Sequence, residues 1–417
     1  MIIIILLNLL FYYIAAKNHL FSKKKTRIIL FLGFLVEILL FVIYRVSLYY
    51  MGREVYFSDA ETYWKNTLEI LYTGSSTGYN GLYYYICAIV QKASPFIWVG
   101  WNNLFNITCL NLSFVMIAKF IKEKDKDEKK LQLFTFLSLM NPFIIFGLMR
   151  NLKDSLFLLI VISVCFITNQ YIQTKSQKTK VLIILALLFI AYIFTDIRPW
   201  GFIIPIVAIL YIIQHQKRQK YIFDRKSVLI LLGVALAIGV AIIFAIPAIS
   251  NNIRIWTPIT FSSLADRGIF TTIVGLGKFV IAPGPIRAFL GGEFFEHSMS
   301  SGNIMAGIGE IMWWLSLIPI VITVLIQRQK IFNIKTWSGF LKILVFSTLA
   351  YIIIYTMQYG GSGELRLKSV FYVLSYAIFF QIFDIVDFKK HRAITIIVTI
   401  LMTAVFAIIS ASSLTTG

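Results

Sequence analysis

The stretch "TRIILFLGFLVEILLFVIYRVSLYYMGREVYFSDAETYW", Thr26 to Trp64, decides what kind of fold this chain adopts. Its first part, 28–49, is an apolar run long enough to cross a hydrocarbon layer of ~30 Å as a helix. Its second part turns abruptly polar, acidic and aromatic, as a chain does on leaving lipid for an interface where rings settle. Runs like the first recur from end to end. With 59% hydrophobic and 14% charged residues over 417 positions, no water-soluble core could hide them. The fold class is therefore an all-α polytopic transmembrane bundle, and 1–417 reads as one integral membrane domain without linkers or internal repeats.

The net charge of +20 invites a nucleic-acid reading, but its placement argues against one. Short connections at 17–27, 119–130, 175–180, 217–226, 328–342 and 389–392 hold 26 of the 39 lysines and arginines, the pattern of cytoplasmic loops. The connections between them, 50–80, 149–154, 196–199, 250–300 and 358–368, are then expected on the outer face. The predicted spans are 2–16, 28–49, 104–120, 131–149, 152–170, 180–195, 199–214, 227–249, 306–326, 340–357, 367–384 and 393–412. That makes about twelve crossings, within a range of 11 to 14, with both termini outside. Residues 82–100 are apolar enough to cross, yet crossing would invert every later loop, so they are expected to be re-entrant or interfacial.

The opening run "MIIIILLNLLFYYIAA" has no basic region before it and no small-residue cleavage site after it, which favours a retained span over a signal peptide. Cys87, Cys109 and Cys165 lie in apolar segments without metal-ligand spacing and read as packing. No carboxylate cluster suggests a metal cage, so neither metal nor cofactor is expected.

Charges near apolar boundaries carry the functional reading, because lipid makes them costly. In "SDAETYWKNTLEIL", Ser58 and Glu61 have capping-box spacing, while Asp59 at an aromatic-rich surface is placed to take a proton from a sugar hydroxyl. In "MRNLKDSLF", Arg150 and Lys153 meet a helix start, a setting suited to phosphate; the plainer reading is an anchor with Asp154 paired to one of them. "TDIRPWG" offers Asp196 and Arg198, and "GGSGELRLKS" offers Glu364, Arg366 and Lys368, each explicable alone as a salt-bridged turn. The segment 250–300 adds Arg267, Lys278, Arg287, Glu293 and His297 in a loop long enough to be a lid or binding loop. Its "GLGK" lacks P-loop spacing, and His297 has no metal-spaced partner.

An N-terminal span, a Lys-rich loop, a second span, "SDAETYW" and "GYNGLYYYICAIV", followed by "MRNLKDSLF" and "ELRLKSVFYVLSYAIFF", resemble in layout the EpsG-type and Wzy-type polysaccharide polymerases. The chain is also similar to the GT-C membrane glycosyltransferases, in which an Asp of the first outer loop is the base; here an extra span precedes the one leading into Asp59. The resemblance implies an enzyme of a bacterial plasma membrane that joins sugars from a polyprenyl-phosphate or pyrophosphate donor to a glycan acceptor, most simply as a repeat-unit polymerase. It implies catalytic carboxylates among Asp59, Glu61 and Glu293, phosphate-binding cations among Arg150, Lys153, Arg198, Arg287 and Arg366, and no nucleic acid. The competing classes are a single-sugar transferase and a lipid-linked oligosaccharide transporter. A transporter would favour paired repeats and mid-span charges such as Glu37 and Glu310.

Overall fold

A computed structural model of the chain describes residues 20–55, 58–75, 81–123, 125, 128–219, 274–277, 279–281, 284–290, 300–359 and 364–415, together with Asn8, Tyr12 and Tyr13. Among these residues every regular element is a helix. The principal ones are α1 (Lys24–Tyr50), α2 (Ser58–Thr73), α3 (Gly81–Lys92), α4 (Gly100–Lys122), α5 (Lys129–Leu139), α6 (Pro142–Met149), α7 (Asp154–Gln173), α8 (Gln177–Ile197) and α9 (Ile203–Gln219). After these come α10 (Pro285–Leu290), α11 (Ser300–Ile326), α12 (Gly339–Tyr359), α13 (Leu365–Ile382) and α14 (Arg392–Thr415).

Eight described helices are long and apolar enough to cross a membrane, or nine when α5 and α6 are taken as one span bent by 55°. The bend has a local cause. Pro142 carries no N–H, and the Asn141 side chain accepts from Phe143 N at 2.9 Å, starting a new helix where the old one ends. The sequence suggested an unbroken span over 131–149. The span expected at 227–249 lies outside the described residues, as does that at 2–16 apart from Asn8, Tyr12 and Tyr13.

Large apolar side chains are exposed along the helices. Leu39, Leu182, Phe189, Leu315, Ile397 and Ile400 are all exposed, a surface that water would not tolerate and lipid requires. Burial grades the helices from centre to rim: 78% of the apolar stretch of α13 is buried, against 6% for Phe388–Ile409, which includes most of α14. The short α6 wedges between α11 and α13. Two glycines permit it, since a Cβ on Gly147 would strike the Ser369 hydroxyl at 1.9 Å and one on Gly309 would strike Phe143 at 2.3 Å.

Described residues of the connections that charge assigned to opposite faces gather in two groups, at opposite ends of the bundle. At one end Glu128 binds Ser22, Thr26 and Lys122, and Asp384 binds Lys130 and Lys330. At the other, Asp59 meets Arg366, Asp154 meets Arg198, and the Leu82 N–H donates to Asp196. The helix over the expected re-entrant segment, α3, has 12 residues, about 18 Å, too short to cross. Both its ends return to the start of α4: Asn106 donates to the Tyr83 hydroxyl at 3.1 Å, and Gln91 donates to Asn102 at 2.8 Å. With α2, which packs rings on it through Tyr63 and Tyr84, α3 covers the end of the bundle.

The segment 250–300 does not lie wholly outside the bundle. Phe279 is fully buried against Tyr351 and Phe371, and the carbonyls of Phe279 and Val280 accept from Lys368 Nζ and from Trp313 Nε1. These residues are helical, and side chains from neighbouring helices satisfy the two carbonyls.

Candidate functional site

The α6–α7 junction, Arg150 to Lys153, is the centre of the charged end. Its backbone would be orphaned between two helices in an apolar setting, and amides from α4 hold it. Asn103 Nδ2 donates to the Met149 carbonyl at 3.0 Å. Asn106 Nδ2 donates to the carbonyls of Arg150 and Leu152, the latter at 2.9 Å. Asn102 Nδ2 donates to Asn151 Oδ1 at 3.1 Å, and Asn151 Nδ2 passes the connection to the Ala60 carbonyl of α2 at 3.1 Å. The junction is thereby locked to the helix that bears Asp59.

Arg150, Lys153, Arg198 and Arg366 are all buried here. The Arg150 guanidinium lies over the Phe146 ring and the Lys153 ammonium over Tyr63. Arg198 pairs with Asp154 and lies over Tyr355. Arg366 pairs with both Glu364 and Asp59. Lys153 is within electrostatic reach of Arg198, Arg366, Asp154 and Asp59, and Arg150 of Arg366, Glu364 and Asp154. Four buried cations are grouped with the buried Asp154 and Glu364 and the partly exposed Asp59, a formal excess of one positive charge among the described residues.

The pairing differs from the plainer reading of the sequence, in which Asp154 would pair with Arg150 or Lys153 and Asp196 with Arg198 in one turn. Instead Asp154 takes Arg198 from the α8–α9 connection, and Asp196 accepts from the backbone of α3. The corners are thus tied to one another rather than closed on themselves. The α7 N-terminus, expected to cradle phosphate, carries the buried Asp154 in its first turn, so the cations supply the positive field there.

Of the expected catalytic carboxylates, Asp59 is in the cluster with its side chain 43% exposed, the most accessible acid there. Its immediate neighbour is a guanidinium. Glu61 shares the first turn of α2, is half-buried, and enters no ion pair among the described residues. Glu293 lies outside the described residues, as do Arg267 and His297. Arg287 stands on α10, which packs on α11 and α14, and the cluster around Arg150 is built without it.

Sequence reasoning passed over the amides Asn102, Asn103, Asn106 and Asn151 and the aromatic wall of Tyr63, Tyr351 and Tyr355. The amides had a signal: "WNNLFN" sets Asn102 and Asn106 one helical turn apart in an apolar run, where an unbonded amide would be expensive. Among the described residues no three metal-binding side chains converge. Comparison with protein-family models, with curated proteins and with solved structures finds no match.

Proposed function

We propose that this chain is a membrane glycosyltransferase that joins lipid-linked sugars or oligosaccharide repeats at the outer face of a bacterial plasma membrane, as a polysaccharide repeat-unit polymerase. The observation that carries the reading is the convergence of Arg150, Lys153, Arg198 and Arg366 on one buried volume beside an accessible carboxylate, Asp59. Converging cations with a net positive excess favour a multiply charged anion, and at a bundle end between lipid and water that anion is a polyprenyl phosphate or pyrophosphate. The resemblance in layout to EpsG-type and Wzy-type polymerases points the same way. The proposal includes twelve crossings, with 2–16 and 227–249 as spans.

In this reading the acceptor hydroxyl oxygen attacks the anomeric carbon of the donor sugar. The bond from that carbon to the phosphate oxygen breaks, and its electron pair leaves with the lipid phosphate. The hydroxyl proton passes to Asp59. Arg150 and Lys153 hold the phosphate oxygens where charge accumulates, fixed by amides before the substrate arrives. Arg366 orients Asp59, and Arg198 fixes Asp154 against α7.

The deciding experiment is donor consumption by purified protein in detergent. Arg150→Ala should lower turnover a hundredfold or more, the scale for removing one preorganised charge stabiliser. Arg150→Lys should recover only part, because an ammonium lacks the bidentate fork. Undiminished turnover in Arg150→Ala would remove the phosphate-site reading.

A transporter of the same lipids is the second reading, favoured by Glu37. That carboxylate is fully buried within α1, where Asn111 donates to it at 3.0 Å and Tyr12 donates to Asn111 at 2.5 Å. Detergent has no two compartments, so donor consumption there belongs to an enzyme alone.

A further inference from the structure

At the opposite end from Arg150, between α1 and α5, a groove of about 590 Å³ opens to the surface. It is lined by the cations Lys23, Lys25 and Lys129 and by the apolar side chains Ile29, Leu133 and Phe136. The order along each helix is regular. On α1, Lys25 and Ile29 are four residues apart, and on α5, Lys129, Leu133 and Phe136 fall at i, i+4 and i+7, so each helix presents one face to the groove. Both faces run from cation to hydrocarbon as they leave the basic end. Leu133 and Phe136 are exposed and continue into the apolar surface of Ile28, Phe31 and Leu32. Thr26 closes the inner side by accepting from Gln132 at 3.2 Å.

We infer that this groove is a binding site for an anionic phospholipid, with the phosphate headgroup among Lys23, Lys25 and Lys129 and an acyl chain along Ile29, Leu133 and Phe136. The lysines alone would suit any phosphate. The apolar floor selects a phosphate with a chain attached, since from Lys129 to Phe136 the helix rises about 10 Å, the depth of headgroup and upper chain. Among the described residues, two carboxylates of this end are engaged by partners outside the groove lining or by hydroxyls. Glu128 is engaged by Lys122, Ser22 and Thr26, and Asp384 by Lys130 and Lys330. The site also lies where anionic lipid is expected, at the end where the basic connections gather. It is separate from the cationic junction and does not depend on the function proposed for it.

The test uses the full chain in detergent, titrated separately with dioleoyl phosphatidylglycerol and dioleoyl phosphatidylcholine, bound lipid being counted by native mass spectrometry. Phosphatidylglycerol should bind at least tenfold more tightly. Each lysine near a headgroup contributes about a fivefold factor, so Lys25→Gln with Lys129→Gln should weaken phosphatidylglycerol about thirtyfold and leave phosphatidylcholine unchanged. Phe136→Ala should weaken both lipids, and Lys178→Gln, at the start of α8, neither. Lys25 and Lys129 are exposed, so the double variant retains its core, and an unchanged melting temperature checks that. Equal affinity of wild type and double variant for phosphatidylglycerol would overturn the inference. So would ready displacement of the lipid by inorganic phosphate together with a harmless Phe136→Ala, which would mark a site for free anions.

Discussion

Asp59 and Arg366 are 307 positions apart and form one ion pair, and what that pair does can be separated by substitution. As a structural contact it is weak, because the Asp59 side chain is 43% exposed and such pairs contribute about 1 kcal/mol or less. As part of a reaction it would matter far more. Asp59→Asn keeps size and most hydrogen bonding, so the melting temperature should scarcely move, while turnover of a lipid-linked donor should fall about a hundredfold, the scale for losing a positioned base. Full turnover in Asp59→Asn would exclude Asp59 from the chemistry and pass the role to another carboxylate, Glu293 first. At this scale the sequence was legible where lipid makes a residue costly. Asp59, Arg150, Lys153, Arg198 and Arg366 stood out because ionisable side chains beside apolar runs are costly in lipid. Their partners were not legible. That Asp154 takes Arg198 and Asp196 takes a backbone N–H depends on how α3, α7 and α8 lie together, which no local spacing encodes.

Among elements, the start of α5 shows how one residue can fix a joint. Glu128 has φ of 56°, a left-handed backbone unusual for a side chain of its kind, and it accepts from Ser22 N at 2.9 Å, Lys23 N at 3.1 Å and Thr26 Oγ1 at 2.6 Å, and also binds Lys122. Burial alone would raise the proton affinity of this carboxyl. The hydrogen bonds from Lys122, Ser22, Thr26 and the Lys23 N–H outweigh burial and bring its pKa down to about 2. A carboxyl depressed in the folded state stabilises the fold above its unfolded value, and that contribution disappears as pH falls through the folded value. Glu128→Gln should therefore be less stable than wild type by about 3 kcal/mol at neutral pH, and the gap should close between about pH 4.5 and pH 2. Thermal unfolding of both proteins across that range measures it, and a constant gap would show that charge is not the cause. Each predicted span within the described residues falls on a helix, or at 131–149 on a bent pair of helices, because an apolar run of that length in lipid has no other way to satisfy its backbone. The break at Asn141 was written as Asn-Pro yet read through, since the apolar pattern continues across it. The inward course of 279–290 was missed for a different reason: Lys368 and Trp313, which satisfy its carbonyls, come from helices far along the chain.

For the molecule as a whole, the two ends differ in kind. One gathers lysines about a buried Glu128 and an exposed Asp384; the other brings four buried cations together with buried Asp154 and Glu364 and the more accessible Asp59 of α2. A bundle so polarised has one comfortable orientation in a membrane that holds lysine-rich connections inside. On that rule the charge cluster would face the outer leaflet, where the proposed donor would be presented. Cysteine labelling can test this cleanly, because Cys87, Cys109 and Cys165 are all buried and should react little with a membrane-impermeant maleimide. In intact cells, Ser75→Cys, just past the end of α2, should be labelled from outside, and Lys178→Cys, at the start of α8, only after the membrane is opened. Labelling of Lys178→Cys from outside, with Ser75→Cys protected, would invert the molecule, and the cluster around Arg150 would then have to draw its substrate from the cytoplasmic leaflet.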